Sequence, residues 1–230
     1  MKKSFVPIIL LLFFLTLAHL ATAIPVSATV KEYSDRTAFN AAATGLTNID
    51  FEGLGVPNGY YIRYASGLSL SGATFSDADT HLYAISPAYY SHIYNYGTGV
   101  VLSAQGRAGY SEISTLDVIL PANTTAVGTD IGSSIDPNWM TPSPSFTITL
   151  STGDVFHLDG GSPITGFNFI GFASDTAISS ISFSNLRIPI YDNFTFGQAN
   201  DISGVPEPST FLLVVAGLAG AAAFGRRVRK

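Results

Sequence analysis

The segment Phe146-Thr147-Ile148-Thr149-Leu150 places an apolar side chain at every second position, with threonine between them. This alternation is typical of a β-strand with one buried and one polar face, because successive side chains of a strand point to opposite sides. Phe167 and Phe169 share a face by the same spacing, and so do Ile181 and Phe183. The pattern therefore predicts a fold built from short strands.

Similar runs of Val, Ile, Thr, Phe and Tyr continue from Thr47, broken by Gly, Pro, Asn and Asp. Many short strands without helices between them predict an all-β fold, an antiparallel β-sandwich over residues 47–197. The number of strands favours a jelly-roll-like version over an immunoglobulin-type domain. The predicted strands are Asn48–Phe51, Tyr60–Tyr64, Leu68–Phe75, Leu82–Ile85, Val100–Ala104, Glu112–Leu120, Ala126–Ile131, Ser145–Leu150, Val155–Leu158, Gly166–Ala173, Ile178–Ser184 and Ile188–Phe196.

One short helix is predicted in the N-terminal segment, residues 24–46, over Lys31–Ala43. Ser34 or Asp35 would cap its first turn, and Gly45 would end it. Residues 198–204 are expected to form a linker.

Residues 1–23 have the features of a secretory signal peptide. Lys2 and Lys3 precede the apolar stretch Val6–Leu17, and Ala21-Thr22-Ala23 is a small-residue cleavage site for signal peptidase. The alternative is an uncleaved membrane anchor, which His19 and the cleavage pattern disfavour.

The C-terminus, residues 205–230, has three parts in a fixed order. The segment Val205-Pro206-Glu207-Pro208 comes first, an apolar run over 210–225 follows, and the chain closes on Arg226, Arg227, Arg229 and Lys230. The prolines keep the first part extended. The apolar run predicts a transmembrane helix of about 24 Å, which is shorter than the ~30 Å hydrocarbon core of a bilayer. Snorkelling arginine side chains and local thinning of the bilayer can close this gap. The basic cluster should stay cytoplasmic.

This tail resembles the PEP-CTERM sorting signal. The resemblance implies transient anchoring in the inner membrane, cleavage by an exosortase near Pro206-Glu207-Pro208, and release to the cell surface or the extracellular space. An ordinary C-terminal membrane anchor is the alternative. The segments Asn48–Gly53 and Ile190–Gly197 also resemble exported bodies joined to such tails and, more distantly, carbohydrate-binding jelly rolls.

The charge distribution excludes a role in nucleic-acid binding. Six of the eleven basic residues lie at the two termini, which leaves five basic against fifteen acidic residues between Ile24 and Gly204. A body with a net charge of about −10 repels phosphates. The chain has no cysteine, so disulfides and thiolate metal sites are excluded as well.

Calcium is the candidate cofactor. In the jelly rolls that the body resembles, the first and last strands often lie side by side, which would bring Glu52 near Asp192. Calcium takes six to eight oxygen ligands, and Asp50 lies on the same strand face as Glu52. The alternative is that both carboxylates are solvated or hydrogen-bond strand ends.

Aromatic side chains are the candidate ligand contacts. Tyr89, Tyr90 and Tyr94 lie in a predicted long loop and Trp139 in a second one, where exposed rings could stack on sugars. The alternative is that these rings pack against the sheet.

Two further polar groups are Asp77-Ala78-Asp79-Thr80-His81 and the pair His157 and Asp159, which no nucleophile motif accompanies.

The sequence therefore predicts a non-enzymatic exported protein with a structural or interaction role, which could contact extracellular polysaccharide. One alternative is a carbohydrate-binding module. Another is a weak glycoside hydrolase or lyase, since paired carboxylates cannot be recognised in sequence.

Overall fold

The computed structural model describes residues 28–77, 81–89, 99–105, 113–133, 146–158, 167–187 and 189–200. These residues form one short helix, one 3₁₀ turn at Glu52–Leu54, and β-strands. The helix is α1 (Arg36–Ala41), and the strands are β1 (Val30–Tyr33), β2 (Ala43–Ile49), β3 (Tyr61–Tyr64), β4 (Leu68–Leu70), β5 (Ala73–Asp77), β6 (His81–Ile85), β7 (Val101–Gln105), β8 (Ile113–Ile119), β9 (Ala126–Ser133), β10 (Phe146–Leu150), β11 (Val155–Leu158), β12 (Asn168–Ser174), β13 (Ser180–Arg187) and β14 (Pro189–Ala199).

The strands form two antiparallel sheets. The first sheet has the order β1-β12-β9-β14-β7-β6-β3, with β2 paired to the C-terminal half of β14. The second has the order β11-β10-β13-β8-β5-β4. The first and last strands of the predicted domain are therefore neighbours, since Ile49 of β2 is paired with Phe194 of β14.

A single hydrophobic cluster takes side chains from both sheets, as expected for a sandwich. Phe146, Ile148 and Leu150 are all buried in it, while Thr149 on the same strand is exposed. This confirms the alternation from which the fold was predicted. The jelly-roll connectivity stays a prediction. Other large members of the core are Phe75, Leu82, Leu102, Leu116, Phe172, Phe183, Tyr191 and Phe194.

Helix α1 covers the outer face of the first sheet. Phe39 on this helix is fully buried and contacts Phe169 of β12, with ring centroids 5.3 Å apart. A second small cluster forms there, separate from the core between the sheets. Phe169 therefore points outward from the sandwich, and the helix shields it from solvent.

The predicted helix Lys31–Ala43 was wrong in its bounds. Val30–Tyr33 forms a strand paired with β12, because this pairing satisfies the backbone groups that a short isolated helix would leave open. Asp35 is the N-cap, and its Oδ1 accepts the Ala38 N–H at 2.7 Å. Gly45, with φ +60°, lies inside β2 and does not end the helix.

The predicted strand Leu68–Phe75 is a hairpin. Ser71 and Gly72 have φ values of 50° and 88°, so they form a two-residue turn between β4 and β5. Such a turn requires positive φ at both central positions, which explains the glycine.

The predicted strand Asn48–Phe51 ends at Ile49. The backbone of Phe51 is in the left-handed region, with φ 60°, and this residue caps the 3₁₀ turn that begins at Glu52.

The first sheet extends beyond both expected limits of the domain, since β1 and β2 begin before Thr47 and β14 continues to Ala199. The helices found among the described residues are too short to cross a membrane. The predicted signal peptide, residues 1–23, and the predicted transmembrane helix, 210–225, lie outside the described residues.

Candidate functional site

A β-bulge interrupts β14 in the centre of the first sheet. The register of β14 against β9 shifts between Asp192 and Thr195, and Asn193 between them has a positive φ of 48°. The Asn193 N–H donates to the Asp192 carboxylate at 2.6 Å, which orients that side chain. Bulges often re-aim a side chain at functional sites.

Glu52 and Asp192 lie against the same glycine. A β-carbon built on Gly99 would collide with Glu52 Oε1 and would lie 3.9 Å from Asp192 Oδ2. The Val100 N–H donates to Glu52 Oε1 at 2.7 Å, which fixes the glutamate at the start of β7. The structure therefore places the two carboxylates together, in the arrangement expected from the pairing of β2 with β14.

Burial raises the pKa of the Asp192 carboxyl from 3.8 to about 6. The Asn193 N–H lowers the pKa, and the negative charges of Asp130, Glu52 and Asp50 raise it further. Asp192 thus releases its proton close to neutral pH, beside a second carboxylate.

Arg36 forms an ion pair with Asp130 in this group. Its Nη2 lies 2.9 Å from Asp130 Oδ1 and donates to the Asn193 carbonyl at 3.1 Å. The guanidinium also stacks over Phe169, 4.5 Å from the ring centroid. These contacts hold α1 against the bulge. The sequence contained no signal for this network, since Arg36 and Asp130 are far apart along the chain.

Calcium at Glu52 and Asp192 stays a prediction. Among the described residues there is no group of three or more His, Asp or Glu side chains arranged to hold a metal ion. One oxygen of each carboxylate already accepts a backbone N–H, so Glu52 and Asp192 supply only part of the six to eight oxygens that calcium takes.

A cluster of tyrosines lies on the same sheet. Tyr61 at the start of β3 contacts Tyr83 of β6 and Tyr89 of the following turn, with ring centroids 5.5 and 5.0 Å apart. Tyr61 is 46% exposed, and the neighbouring Tyr60 is 65% exposed. Of the predicted ligand contacts, the structure describes only Tyr89; the other three, Tyr90, Tyr94 and Trp139, lie outside the described residues.

The registers of the strands place these rings on the outer face. Tyr61 is paired with Ile85, and Arg63 with Tyr83, so all four side chains share one side of the sheet. Ile85 belongs to a small buried cluster against which Tyr83 and Tyr89 pack. The contact between Tyr61 and Tyr83 was not predicted from the sequence, because their proximity depends on strand pairing.

The other two polar groups remain apart from this site. His157 lies on the edge strand β11, where its Nδ1 is 3.3 Å from Thr147 Oγ1. Its predicted partner Asp159 lies outside the described residues, as does Asp79. Asp77 lies instead near the core, where its charge adds to burial in raising the pKa of Tyr191 well above 10.

Comparison with known protein families matches residues 204–230 to the PEP-CTERM protein-sorting motif. The chain carries this sorting motif. The match covers the proline segment, the apolar run and the basic tail that were predicted from residues 205–230. The motif implies export to the cell surface or extracellular space and sorting through an exosortase. A search of curated proteins finds no match to this chain.

Proposed function

We propose that the chain is anchored transiently in the inner membrane by residues 210–225 and is then cut by an exosortase near Pro206-Glu207-Pro208. The matched motif supports this route. Mass spectrometry of the protein recovered from the cell surface tests it. The expected C-terminal peptide ends near Pro208, and an intact Arg226–Lys230 tail on the surface protein would refute the cleavage.

We further propose that the exported body is a non-enzymatic interaction component of the cell surface or extracellular matrix. The observation that carries this proposal is a tyrosine cluster on an exported β-sandwich, in which the exposed Tyr61 contacts the half-buried Tyr83 and Tyr89. Rings that are held in place but left open to solvent are typical of binding surfaces, because they bury a large area at a small cost in side-chain entropy.

Cell fractionation tests the interaction role. We expect the wild-type protein to remain with the surface or matrix fraction, and the variant Tyr61→Ala to be exported but released into the medium. Ile119→Ser is the matched control, because Ile119 is a 59% exposed apolar residue on the second sheet. Equal retention of Tyr61→Ala and wild type would contradict the role of this surface.

The carboxylate pair favours a second candidate function, a glycoside hydrolase or lyase. A carboxyl group with a raised pKa beside a second carboxylate is the arrangement that general acid–base cleavage of glycosides uses. Reducing-end release from polysaccharides at pH 5–6 tests this candidate, with Asp192→Asn as the inactive variant. Absence of release by the wild-type protein excludes it.

A further inference from the structure

We propose that the outer face of the first sheet binds a neutral polysaccharide, which stacks on Tyr61 and its neighbouring rings and donates hydroxyl hydrogen bonds to Glu52 and Asp192. This inference rests on the interaction role proposed above and names the class of its ligand.

The rings and the carboxylates lie on one face of the sheet. Tyr61 is paired with Ile85, and Ile85 with Val101, so these three side chains point the same way. The register of β14 with β7 places Asp192 beside Val101. With neighbouring strands about 4.8 Å apart, the backbones at Tyr61 and Asp192 are separated by about 14 Å, a span that accommodates more than one sugar ring.

The aromatic part of this face is held in position before any ligand binds. Tyr61 meets Tyr83 and Tyr89 edge to face, at interplanar angles of 64° and 72°. Below them, Ile85 and Val101 are buried at 2% and 7% exposure. A sugar ring that stacks on Tyr61 therefore meets a ring whose rotamer is already restricted, which lowers the entropic cost of binding.

The charges on this face select a neutral ligand. Glu52 and Asp192 are acceptors for sugar hydroxyls when ionised, and hydrogen bonds to carboxylates are stronger than those between neutral groups. The same carboxylates, in a body with fifteen acidic and five basic residues, repel polyuronates and other polyanions. Arg63, exposed and opposite Tyr83, supplies donors to sugar oxygens.

Affinity electrophoresis of the processed, exported protein tests the proposal. Gels contain either a neutral polymer (a β-glucan, a mannan or a xylan) or a polyuronate (polygalacturonate). We expect at least one neutral polymer to retard the wild-type protein, and polygalacturonate not to do so. Tyr61→Ala should weaken the binding about tenfold, whereas Tyr61→Phe should retain most of it because the ring remains. Glu52→Gln should weaken it several-fold, and the control Ile119→Ser should bind like the wild type.

Thermal unfolding of each variant separates loss of binding from loss of folding, and Tyr89→Ala provides a second ring deletion if Tyr61→Ala is unstable. Binding to polygalacturonate alone, or an equal loss in Ile119→Ser, would overturn the proposal. If no neutral polymer binds while Tyr61→Ala still releases the protein from the matrix fraction, the ligand is a protein partner. In that case the interaction role stands and the polysaccharide does not.

Discussion

Replacing Asp192 with asparagine should stabilise the protein at alkaline pH and leave its stability at acidic pH nearly unchanged. Burial and three neighbouring acidic residues raise the pKa of this carboxyl to about 6. The folded protein therefore holds a proton between pH 4 and 6 that the unfolded chain has already released. The contribution of Asp192 to the free energy of unfolding is most favourable below about pH 4 and is lost as pH rises through 6.

The size of the effect follows from the two pKa values. A difference of roughly 2 pKa units corresponds to about 3 kcal/mol between the protonated and ionised folded states. Asp192 is only partly buried, so solvent screening reduces this to about 1–2 kcal/mol. Asparagine keeps an oxygen that accepts the Asn193 N–H, so the bulge should remain intact while the charge is removed.

Urea unfolding of the exported protein at several values between pH 4 and pH 8 is the measurement. We expect Asp192→Asn and wild type to agree within about 0.5 kcal/mol at pH 4, and the variant to be more stable by about 1–2 kcal/mol at pH 8. Asp175→Asn is the matched control, because it removes an exposed loop carboxylate that accepts the Thr29 N–H. A variant less stable than wild type at pH 8 would refute the reasoning, since it would show that the ionised carboxylate has a favourable partner in the folded protein.

Glu52→Gln provides an independent check on the same pair. The charge of Glu52 contributes to the raised pKa of Asp192, and glutamine still accepts the Val100 N–H. We therefore expect this variant to move the pH dependence of stability to lower pH. An unchanged pH dependence would show that the two side chains do not interact.

Three further predictions concern stability. Gly171→Ala should lower the free energy of unfolding by about 1–3 kcal/mol, because the added β-carbon would lie 2.7 Å from the Phe39 ring, and calorimetry measures this. Asp35→Ala should cost about 1 kcal/mol, since the Ala38 N–H loses its cap, whereas Asp35→Asn should cost less in the same unfolding assay. Excess calcium should raise the melting temperature of the wild type more than that of Asp192→Asn if the ion binds there, and equal shifts or none would argue against the calcium site.

The alternation in Phe146–Leu150 was sufficient to predict a buried and an exposed face, because side-chain direction in a strand depends only on position. The hairpin between β4 and β5 was missed, although Ser71-Gly72 is a turn dipeptide, because the flanking residues continue the apolar pattern. The helix was assigned too many residues for a related reason. Lys31–Tyr33 is compatible with a helix locally, and only the pairing with β12 makes it a strand.

The candidate site also has one feature that was expected from the sequence and others that depend on the fold. The adjacency of Glu52 and Asp192 was expected from the resemblance to jelly rolls and agrees with the pairing of β2 with β14. The partner of Asp130 and the contacts of Tyr61 could not be predicted. Each depends on residues that the sheet brings together from distant parts of the chain.

By itself, the amino-acid sequence determined the C-terminal sorting motif, the acidic charge of the body and the use of β-strands. These properties follow from composition and from residues that are close along the chain, so they can be recognised without a fold. The tertiary structure decided that Asp192 is half-buried beside Glu52 and that Tyr61, Tyr83 and Tyr89 form one surface. Burial and strand register depend on which distant segments pair, and no local pattern specifies that pairing.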